Sequence, residues 1–357
     1  MKKYFTILLI FTGLGASLQA QIVGGNNAFE FLNLSASARL TALGGHQIAV
    51  QDDDVNLALT NPAALNPLMH QQLSFNHNFM VADIAGGYVS YGHYLAKPGI
   101  TLHGGLQYLN NGHFDATDEI GNVTGDFKAA EYAFTVGAGR RLYERVSVGA
   151  NLRFITSQLE SYTATGIATD LGAMFHDTAS RVNISLVIKN LGAQLQTYTD
   201  GNREPLPYEA QLGISKRLKH LPLRLSAVYR YLNRWNVRYD DPNSQEDTFF
   251  FGEENTNNDT PFIDNLARHF VFNGEFQMGK KENFRIRFGY NHLLRKETEV
   301  RNLRSLSGFA MGLGFKVKWF RVDFANACRS ASSVNSPVPS RDQIATNSPS
   351  ISSTPNR

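Results

Sequence analysis

The sequence has 357 residues but only one cysteine, Cys328, and no long apolar run after its first twenty residues. One cysteine excludes internal disulfide bonds, so packing and backbone pairing alone must hold the fold. A bundle of membrane-spanning helices needs repeated runs of roughly 20 apolar residues and is excluded as well. The formal net charge of +3 gives no indication of a nucleic-acid partner.

The sequence is rich in aromatic residues and glycine. It contains 24 Phe, 14 Tyr and 30 Gly, which is far too aromatic for a chain that cannot build a core. This composition is typical of a β-rich soluble protein and also of an outer-membrane β-barrel.

The N-terminus has the pattern of a secretory signal peptide. Lys2 and Lys3 form a positive start, residues 4–18 are mostly apolar, and Ala20 ends a small-residue cleavage signal. We therefore predict a signal peptide over residues 1–20, with cleavage near Ala20. A single transmembrane anchor is the alternative, but the apolar stretch is short for one and contains glycines.

Alternating apolar and polar residues recur through the rest of the chain. Between residues 284 and 291, for example, Phe284, Ile286, Phe288 and Tyr290 alternate with arginine, glycine and asparagine, which predicts a strand with two unlike faces. The predicted strands cover residues 72–80, 86–95, 99–109, 128–140, 144–157, 163–176, 181–190, 207–217, 221–231, 266–279, 283–292, 305–317 and 319–327.

Six arginines lie on the polar face of these strands. On a lipid-facing surface each would cost about 2–4 kcal/mol near the bilayer midplane, so in a membrane barrel they must point into the lumen. A soluble barrel with its charges outward would show the same alternation, and this alternative stays open. The arginines are Arg145, Arg153, Arg224, Arg230, Arg285 and Arg287.

The connections alternate in length along the chain. They are short after even-numbered strands, whereas after odd-numbered strands most are long, as at 110–127, 191–206, 232–265 and 293–304. Outer-membrane barrels have this asymmetry, with short periplasmic turns and longer extracellular loops. The predicted fold class is therefore all-β, a transmembrane antiparallel β-barrel of about 14 strands, of which 13 are readable.

Residues 21–70 precede the first predicted strand and do not alternate. Gly44 and Gly45 favour a tight backbone turn. Asp52 to Asp54 are predicted to form a solvated cap for a helical stretch over 55–59, and Pro62 is expected to end it. A calcium site is the other possibility for these aspartates, but their spacing is not of the EF-hand type.

This segment resembles a known family. The residues that carry the resemblance are Phe29, Phe31, Leu32, Ala38, Arg39, Gly44, Gly45, Asp54, Asn61, Pro62 and Ala63. On them the chain is similar to the PorV/PorQ family of FadL-like outer-membrane proteins of the Bacteroidetes type IX secretion system, and most similar to its PorQ branch. The resemblance implies that residues 21–70 form a plug inside a barrel over residues 71–327.

The resemblance also implies a function without catalysis. PorQ-like proteins hold the surface protein PorZ in the attachment complex with PorU and PorV, which joins secreted cargo to anionic lipopolysaccharide. We expect the loops over 110–127, 191–206 and 240–264 to bind a PorZ-like partner. The predicted contact residues of the last loop are Phe249, Phe250, Phe251, Glu253 and Glu254. The alternatives are a PorV-like carrier of cargo C-terminal domains and a FadL-like transporter of hydrophobic solutes.

No catalytic motif is present in the sequence. It has no H-E-x-x-H, no G-x-S-x-G, no Walker loop and no paired-cysteine metal site. Five histidines are spread through the early strands with no common helix face and are predicted to be lumenal or interfacial: His70, His77, His93, His103 and His113. We therefore predict no catalytic residue, cofactor or metal.

Residues 328–357 change abruptly to a Ser-, Pro- and Asn-rich composition that is typical of disorder. A fourteenth strand is expected here. Three explanations are open: a closing strand supplied from elsewhere, such as the N-terminal segment, a variant C-terminus, or a shifted reading frame near Ala327, which is the favoured one. A frame shift would leave an aromatic-rich strand in another frame of the downstream DNA.

Overall fold

The protein is all-β in a computed structural model that describes residues 27–80, 84–118, 120, 122–199, 201–237, 261–279, 282–298, 306–318 and 320–328. Thirteen strands lie within these ranges, and each overlaps one of the thirteen predicted strands. They are β1 (Gln72–Phe79), β2 (Ala85–Leu95), β3 (Ile100–Thr117), β4 (Val123–Tyr143), β5 (Val146–Leu159), β6 (Tyr162–Asp177), β7 (Val182–Gln196), β8 (Glu209–Arg217), β9 (Leu223–Tyr229), β10 (Phe270–Met278), β11 (Phe284–Asn291), β12 (Phe309–Val317) and β13 (Phe320–Ala327).

All thirteen strands form one sheet in chain order, and every neighbouring pair is antiparallel. Consecutive strands joined by short turns can only pair in this way, because a parallel pair needs a long crossover. Among the described residues no ladder joins β1 to β13.

Four short α-helices lie outside the sheet in the ranges given above. They are α1 (Ala38–Ala42), α2 (Leu57–Thr60), α3 (Pro261–Arg268) and α4 (His292–Glu297). Single 3₁₀ turns occupy Glu30–Asn33, Pro62–Ala64 and Pro67–Met69. Within the described ranges, none of the helices has the length and apolar character needed to cross a bilayer.

The sheet curls around the described part of the N-terminal segment, residues 27–70, called the plug segment below. Helix α1 contacts β1 at one edge of the sheet and also β12 and β13 at the other edge. The 3₁₀ turn Pro62–Ala64 contacts β4, β5 and β6 on the opposite side. The sheet is therefore strongly curved, because one short segment meets both of its edges and its middle.

The two faces of the sheet are the reverse of those in a soluble protein. On the outer face, large apolar side chains are between 43% and 72% exposed: Leu73, Phe134, Phe154, Ile214, Phe272, Phe288, Met311, Phe315 and Phe324. On the inner face, polar and charged side chains are at most 3% exposed: Thr135, Asn151, Arg153, Asp170, Ser185, Gln211, Ser215, Asn273, Glu275 and Arg287. This excludes the soluble barrel with outward charges.

Five of the six predicted lumenal arginines lie on the inner face. Arg153, Arg230, Arg285 and Arg287 are buried, and Arg224 is largely buried. Arg145 is an exception, because the turn between β4 and β5 includes it and leaves it exposed.

The predicted long loop over 110–127 is wrong. Strands β3 and β4 run on to Thr117 and back from Val123, with a β-bulge between Asn110 and His113. They contain 18 and 21 residues, whereas about 9–11 cross a bilayer. At this connection, the sheet is therefore extended at one end by a protruding β-hairpin and not by a long loop.

Smaller corrections concern three other boundaries. Strand β7 extends through Gln196 into the predicted loop 191–206, residues 266–268 belong to α3, and β12 begins at Phe309 rather than at 305. The predicted signal peptide over 1–20 and the tail over 329–357 lie outside the described residues, and so do Phe249, Phe250, Phe251, Glu253 and Glu254.

Glycines on the inner face let the plug segment approach the wall closely. A Cβ at Gly289 in β11 would collide with the backbone nitrogen of Gly44, and one at Gly149 in β5 would collide with the carbonyl of Pro62. Neither partner can move away as a flexible side chain could, because both are backbone atoms.

We predict that Gly289→Val prevents the plug segment from packing against β11, because the added side chain overlaps the backbone of Leu43 and Gly44. The midpoint of thermal unfolding in detergent should fall by several degrees. The control is Gly104→Val on β3, because a Cβ at Gly104 would meet nothing within 4 Å. Gly99 is unsuitable as a control because its positive φ of 65° disfavours any other residue. Equal effects of the Gly289 and Gly104 variants would contradict the close approach.

Candidate functional site

The start of the plug segment packs against one side of the wall. Phe29, Phe31 and Leu32 are each at most 3% exposed and form an apolar cluster with residues of β3 to β6. The backbone carbonyl of Phe31 accepts a hydrogen bond from the Gln107 side chain at 3.0 Å. These aromatic residues of the family motif therefore anchor the segment rather than face a solvent-filled lumen.

Helix α1 and the turn after it position the charged part of the motif. Ser37 caps the helix by accepting a hydrogen bond from the amide of Leu40 at 3.3 Å. Gly44 and Gly45 follow with φ of 78° and 84°, the positive values that favour glycine. The tight turn predicted for this pair is therefore confirmed, and it turns the chain beside β11.

The Asn61-Pro62-Ala63 motif is a hydrogen-bonded corner. Asn61 is extended, as expected before a proline, and its side chain accepts from the amide of Ala63 at 2.9 Å. The same side chain donates to the carbonyl of Ile48 at 2.7 Å. It thereby joins two parts of the plug segment that lie 13 residues apart.

The plug segment and the wall meet at a buried ion cluster centred on Arg39, which is only 1% exposed. Its guanidinium donates to both oxygens of Asp52, at 2.7 and 2.9 Å, and to Asp54 at 3.1 Å. It also donates to Glu275 of β10 at 3.2 Å. The Arg39 side chain thus connects the loop after α1 to strand β10 of the wall.

Further cations surround the same carboxylates. Arg224 lies 3.1 Å from Glu275 and 3.5 Å from Asp52, and Arg287 donates to Glu275 at 2.8 Å and to Asp323 at 2.6 Å. Because each carboxylate of this group is paired with at least one arginine, these charged side chains can be buried. We call Arg39, Asp52, Glu275, Arg224 and Arg287 the Arg39 cluster.

Asp53 makes a second attachment beside the Arg39 cluster. Its carboxylate pairs with Lys316 of β12 and with Arg321 of β13, the latter at 2.5 Å. The three aspartates thus form ion pairs with residues of four strands, β9, β11, β12 and β13. The predicted solvated cap over Asp52 to Asp54 is wrong, because each carboxylate has a charged partner and α2 begins without a side-chain cap.

The charged neighbours shift the acidity of these aspartates. Burial alone would raise the pKa of Asp52, but Arg39, Arg224 and Arg285 outweigh it and hold the pKa well below its usual value. In the same way Arg321 and Lys316 lower the pKa of Asp53 against the effect of burial. Both groups are therefore ionised at neutral pH.

A second polar group fixes the other side of the plug segment. Arg153 of β5 pairs with Asp170 of β6 and donates to the carbonyl of Leu59 at 3.0 Å and to Asn190 at 3.0 Å. Nearer the loop end, Arg230 and Glu209 form a two-fold hydrogen-bonded pair at 2.8 and 2.9 Å. The inner face is thus crossed by salt bridges rather than lined by a continuous apolar path.

Several of these partners were not apparent from the sequence. Glu275 and Asp323 lie at inward positions of strands, and their charge at such positions is the one signal that could have marked them. What the sequence could not supply is their pairing, since Glu275 lies 236 residues from Arg39.

The histidines named in the sequence analysis do not come together at one place. His103 is buried against the hydroxyl of Tyr88 at 2.7 Å, whereas His77 contacts Tyr108 and His113 lies near Asp126 at the hairpin. In the part of the chain that the structure describes, no group of three or more His, Cys, Asp or Glu residues is placed to hold a metal ion.

Comparison with known proteins gives a likeness of architecture. No protein-family model matches the chain, and no curated protein matches it. Among solved structures, the toluene transporter TodX of Pseudomonas putida has 10% identity and a TM-score of 0.45, over 82% of this chain and 92% of that one. A deltaS2 mutant of the TodX monoaromatic hydrocarbon channel has 10% identity and a TM-score of 0.48, over 82% of this chain and 92% of that one.

A FadL homologue of Pseudomonas aeruginosa has 10% identity and a TM-score of 0.42, over 81% of this chain and 88% of that one. No protein of the type IX secretion system is among these three structures.

We predict that Arg39→Ala strongly destabilises the protein. It leaves Asp52 and Glu275 buried with one cation fewer, and breaking a buried pair typically costs about 3–5 kcal/mol. The control is Arg217→Ala, which removes a partly exposed arginine paired with Glu282 and should cost about 0–1 kcal/mol. Urea unfolding in lipid vesicles measures the free energy of unfolding of both variants. An equal decrease in the two variants would show that the Arg39 cluster contributes no more to stability than an exposed ion pair.

Acid should weaken the same attachment. A carboxylate whose folded pKa is depressed contributes stability that is complete above its unfolded value and is lost as pH falls through the folded value. For Asp52 and Asp53 the window therefore lies below the ordinary value of 3.8. Urea midpoints should be similar at pH 7 and 5 and fall below pH 3.8, with a smaller fall in Asp52→Asn. A main loss near pH 6 would instead implicate histidine.

Proposed function

We propose that the protein is an integral outer-membrane β-barrel whose lumen is closed by its own plug segment. The observation that carries the proposal is the reversed sheet, with apolar side chains outward and charged side chains inward. In water, each fully exposed Phe or Leu forgoes about 1.5–3 kcal/mol of burial energy, whereas lipid removes this cost. The predicted signal peptide over residues 1–20 supports export to that membrane.

We propose further that the barrel anchors a surface protein and does not act as an enzyme. Salt bridges between the plug segment and the wall favour a closed, fixed scaffold over an open pore. The hairpin of β3 and β4 extends one end of the sheet well beyond the length that a bilayer needs. Such an end is suited to hold a partner above the membrane.

The partner proposed from the sequence resemblance is a PorZ-like surface protein, in an attachment complex with PorU- and PorV-like proteins. The motif residues support this proposal in one respect: Arg39, Asp54, Asn61 and the aromatic start all fix the plug segment in place. The contact residues proposed for the partner remain Phe249, Phe250, Phe251, Glu253 and Glu254. A PorV-like carrier of cargo C-terminal domains would use the same end of the barrel.

Transport of hydrophobic solutes is the second candidate function. It is favoured by the apolar cluster that Phe29, Phe31 and Leu32 form with Leu109 and Ile155 inside the wall. Displacement of these side chains would open an apolar route next to β3 and β5. Transport is also the activity that the compared TodX structures are named for.

The two functions give different results in one pair of experiments. Anchoring predicts that a PorZ-like protein co-purifies with the native chain, and that changing Phe249, Phe250 and Phe251 to Ser removes it. Leu221→Ser, a similar change at a 55% exposed position in the short turn between β8 and β9, lies at the opposite end of the sheet and serves as the control. Anchoring also predicts that liposomes containing the protein take up no toluene-like solute beyond empty liposomes.

Uptake above the background without any co-purified surface protein would overturn anchoring in favour of transport. Co-purification of secreted cargo in place of a PorZ-like protein would favour the carrier. A chain that fails to insert into vesicles at all would contradict the membrane barrel itself.

A further inference from the structure

We propose that helix α3 lies in the interface of the outer leaflet and anchors the loop end of the barrel to lipid. The inference rests on the proposed membrane placement and adds a second, separate contact with the bilayer. It concerns α3 together with Trp235, and the lipid groups that they would meet are the acyl chains just below the head groups.

Helix α3 is turned with its apolar side outward. Phe262 and Ile263 are 62% and 64% exposed. On the opposite side, the Asn265 side chain donates to the carbonyl of Trp235 at 2.6 Å and accepts from the amide of Val237 at 3.2 Å. Because the polar side is fixed by these hydrogen bonds, the helix cannot roll to bury its apolar side.

The strands of the sheet have the same arrangement, with apolar side chains exposed and polar side chains buried. A helix on the surface of a soluble protein buries its apolar stripe and exposes its polar one, so an exposed apolar stripe needs an apolar neighbour. Amphipathic helices at membrane interfaces meet this need by lying in the plane of the bilayer with Phe, Trp or Leu toward the acyl chains.

Aromatic contacts connect α3 to the lipid-facing sheet. Trp235 lies 5.2 Å from Phe262 and 5.5 Å from His269 between ring centroids. His269 stacks on Tyr229 at 4.8 Å. Tyr229 contacts Phe270 at 5.2 Å, and Phe270 stacks on the exposed Phe272 at 5.6 Å. A continuous series of ring contacts, with the buried His269 in its middle, thus places the helix beside the outer face of β9 and β10.

The neighbouring charges suit a head-group region. Helix α4, which packs on α3, has Arg295 and Lys296 in its last turn, and Arg268 ends α3 in an ion pair with Asp264 at 2.8 Å. Tryptophan with adjacent basic residues is the usual composition of a membrane-interface anchor. This continuity and composition favour lipid over a protein partner as the occupant.

Tryptophan fluorescence tests the inference directly, because the sequence contains only Trp235 and Trp319. In a Trp319→Phe background, the full-length protein is inserted into vesicles containing phosphatidylcholine brominated either near the carbonyl or near the chain end. Trp235 should be quenched, and more strongly by the shallow bromine. Quenching should be lost in the Phe262→Ser, Ile263→Ser double variant, whereas Ile120→Ser should leave it unchanged.

A second reporter separates this inference from the proposed function. Phe272→Trp, in a chain with both natural tryptophans changed to Phe, places the probe on the outer face of β10. If this probe is quenched by brominated lipid but Trp235 is not, α3 does not contact the membrane and the inference is overturned. If neither is quenched, the membrane placement itself fails. Shielding of Trp235 from aqueous acrylamide without lipid quenching would indicate a protein cover and would also overturn it.

Discussion

The fold depends on the burial of charge on the inner face of the sheet. With apolar side chains outward, the wall can place its arginines and glutamates only inside, where they need partners of opposite charge. Arg39 supplies the central one, joining Asp52 of the plug segment to Glu275 of the wall. Without the plug segment, Arg224, Arg285 and Arg287 would share the single carboxylate of Glu275 with only Asp323 nearby, so the plug is part of the electrostatic balance of the barrel.

The same constraint links the structure to its proposed role. A plug that is salt-bridged to β9 through β13 and hydrogen-bonded to β5, β7 and β8 stiffens the whole wall. The sheet, held by its plug segment, offers a base for the protruding hairpin and for the helices α3 and α4. The charged groups of the inner face hold the plug segment in place in either of the proposed functions.

Much of this fold could be predicted from the sequence, because strand alternation is a local property. The count and order of the thirteen strands in the described residues follow from it, and so do the inward arginines 153, 224, 230, 285 and 287. Local reasoning failed where pairing across the chain decides the outcome. Asp52 to Asp54 looked like a helix cap because Lys316 and Arg321 lie more than 260 residues away, and the 110–127 hairpin was missed because a bulge interrupts its alternation.

The central claim is that the apolar face of the sheet meets lipid while the polar face meets the plug segment. Single cysteines at Leu152 and Ile214 on the outer face, and at Gln211 on the inner face, test it most directly in a Cys328→Ser background. In vesicles, a lipid-soluble thiol reagent should label the two outer positions, and a charged aqueous maleimide should label none of the three. Rapid labelling of the outer positions by the aqueous reagent would contradict the account.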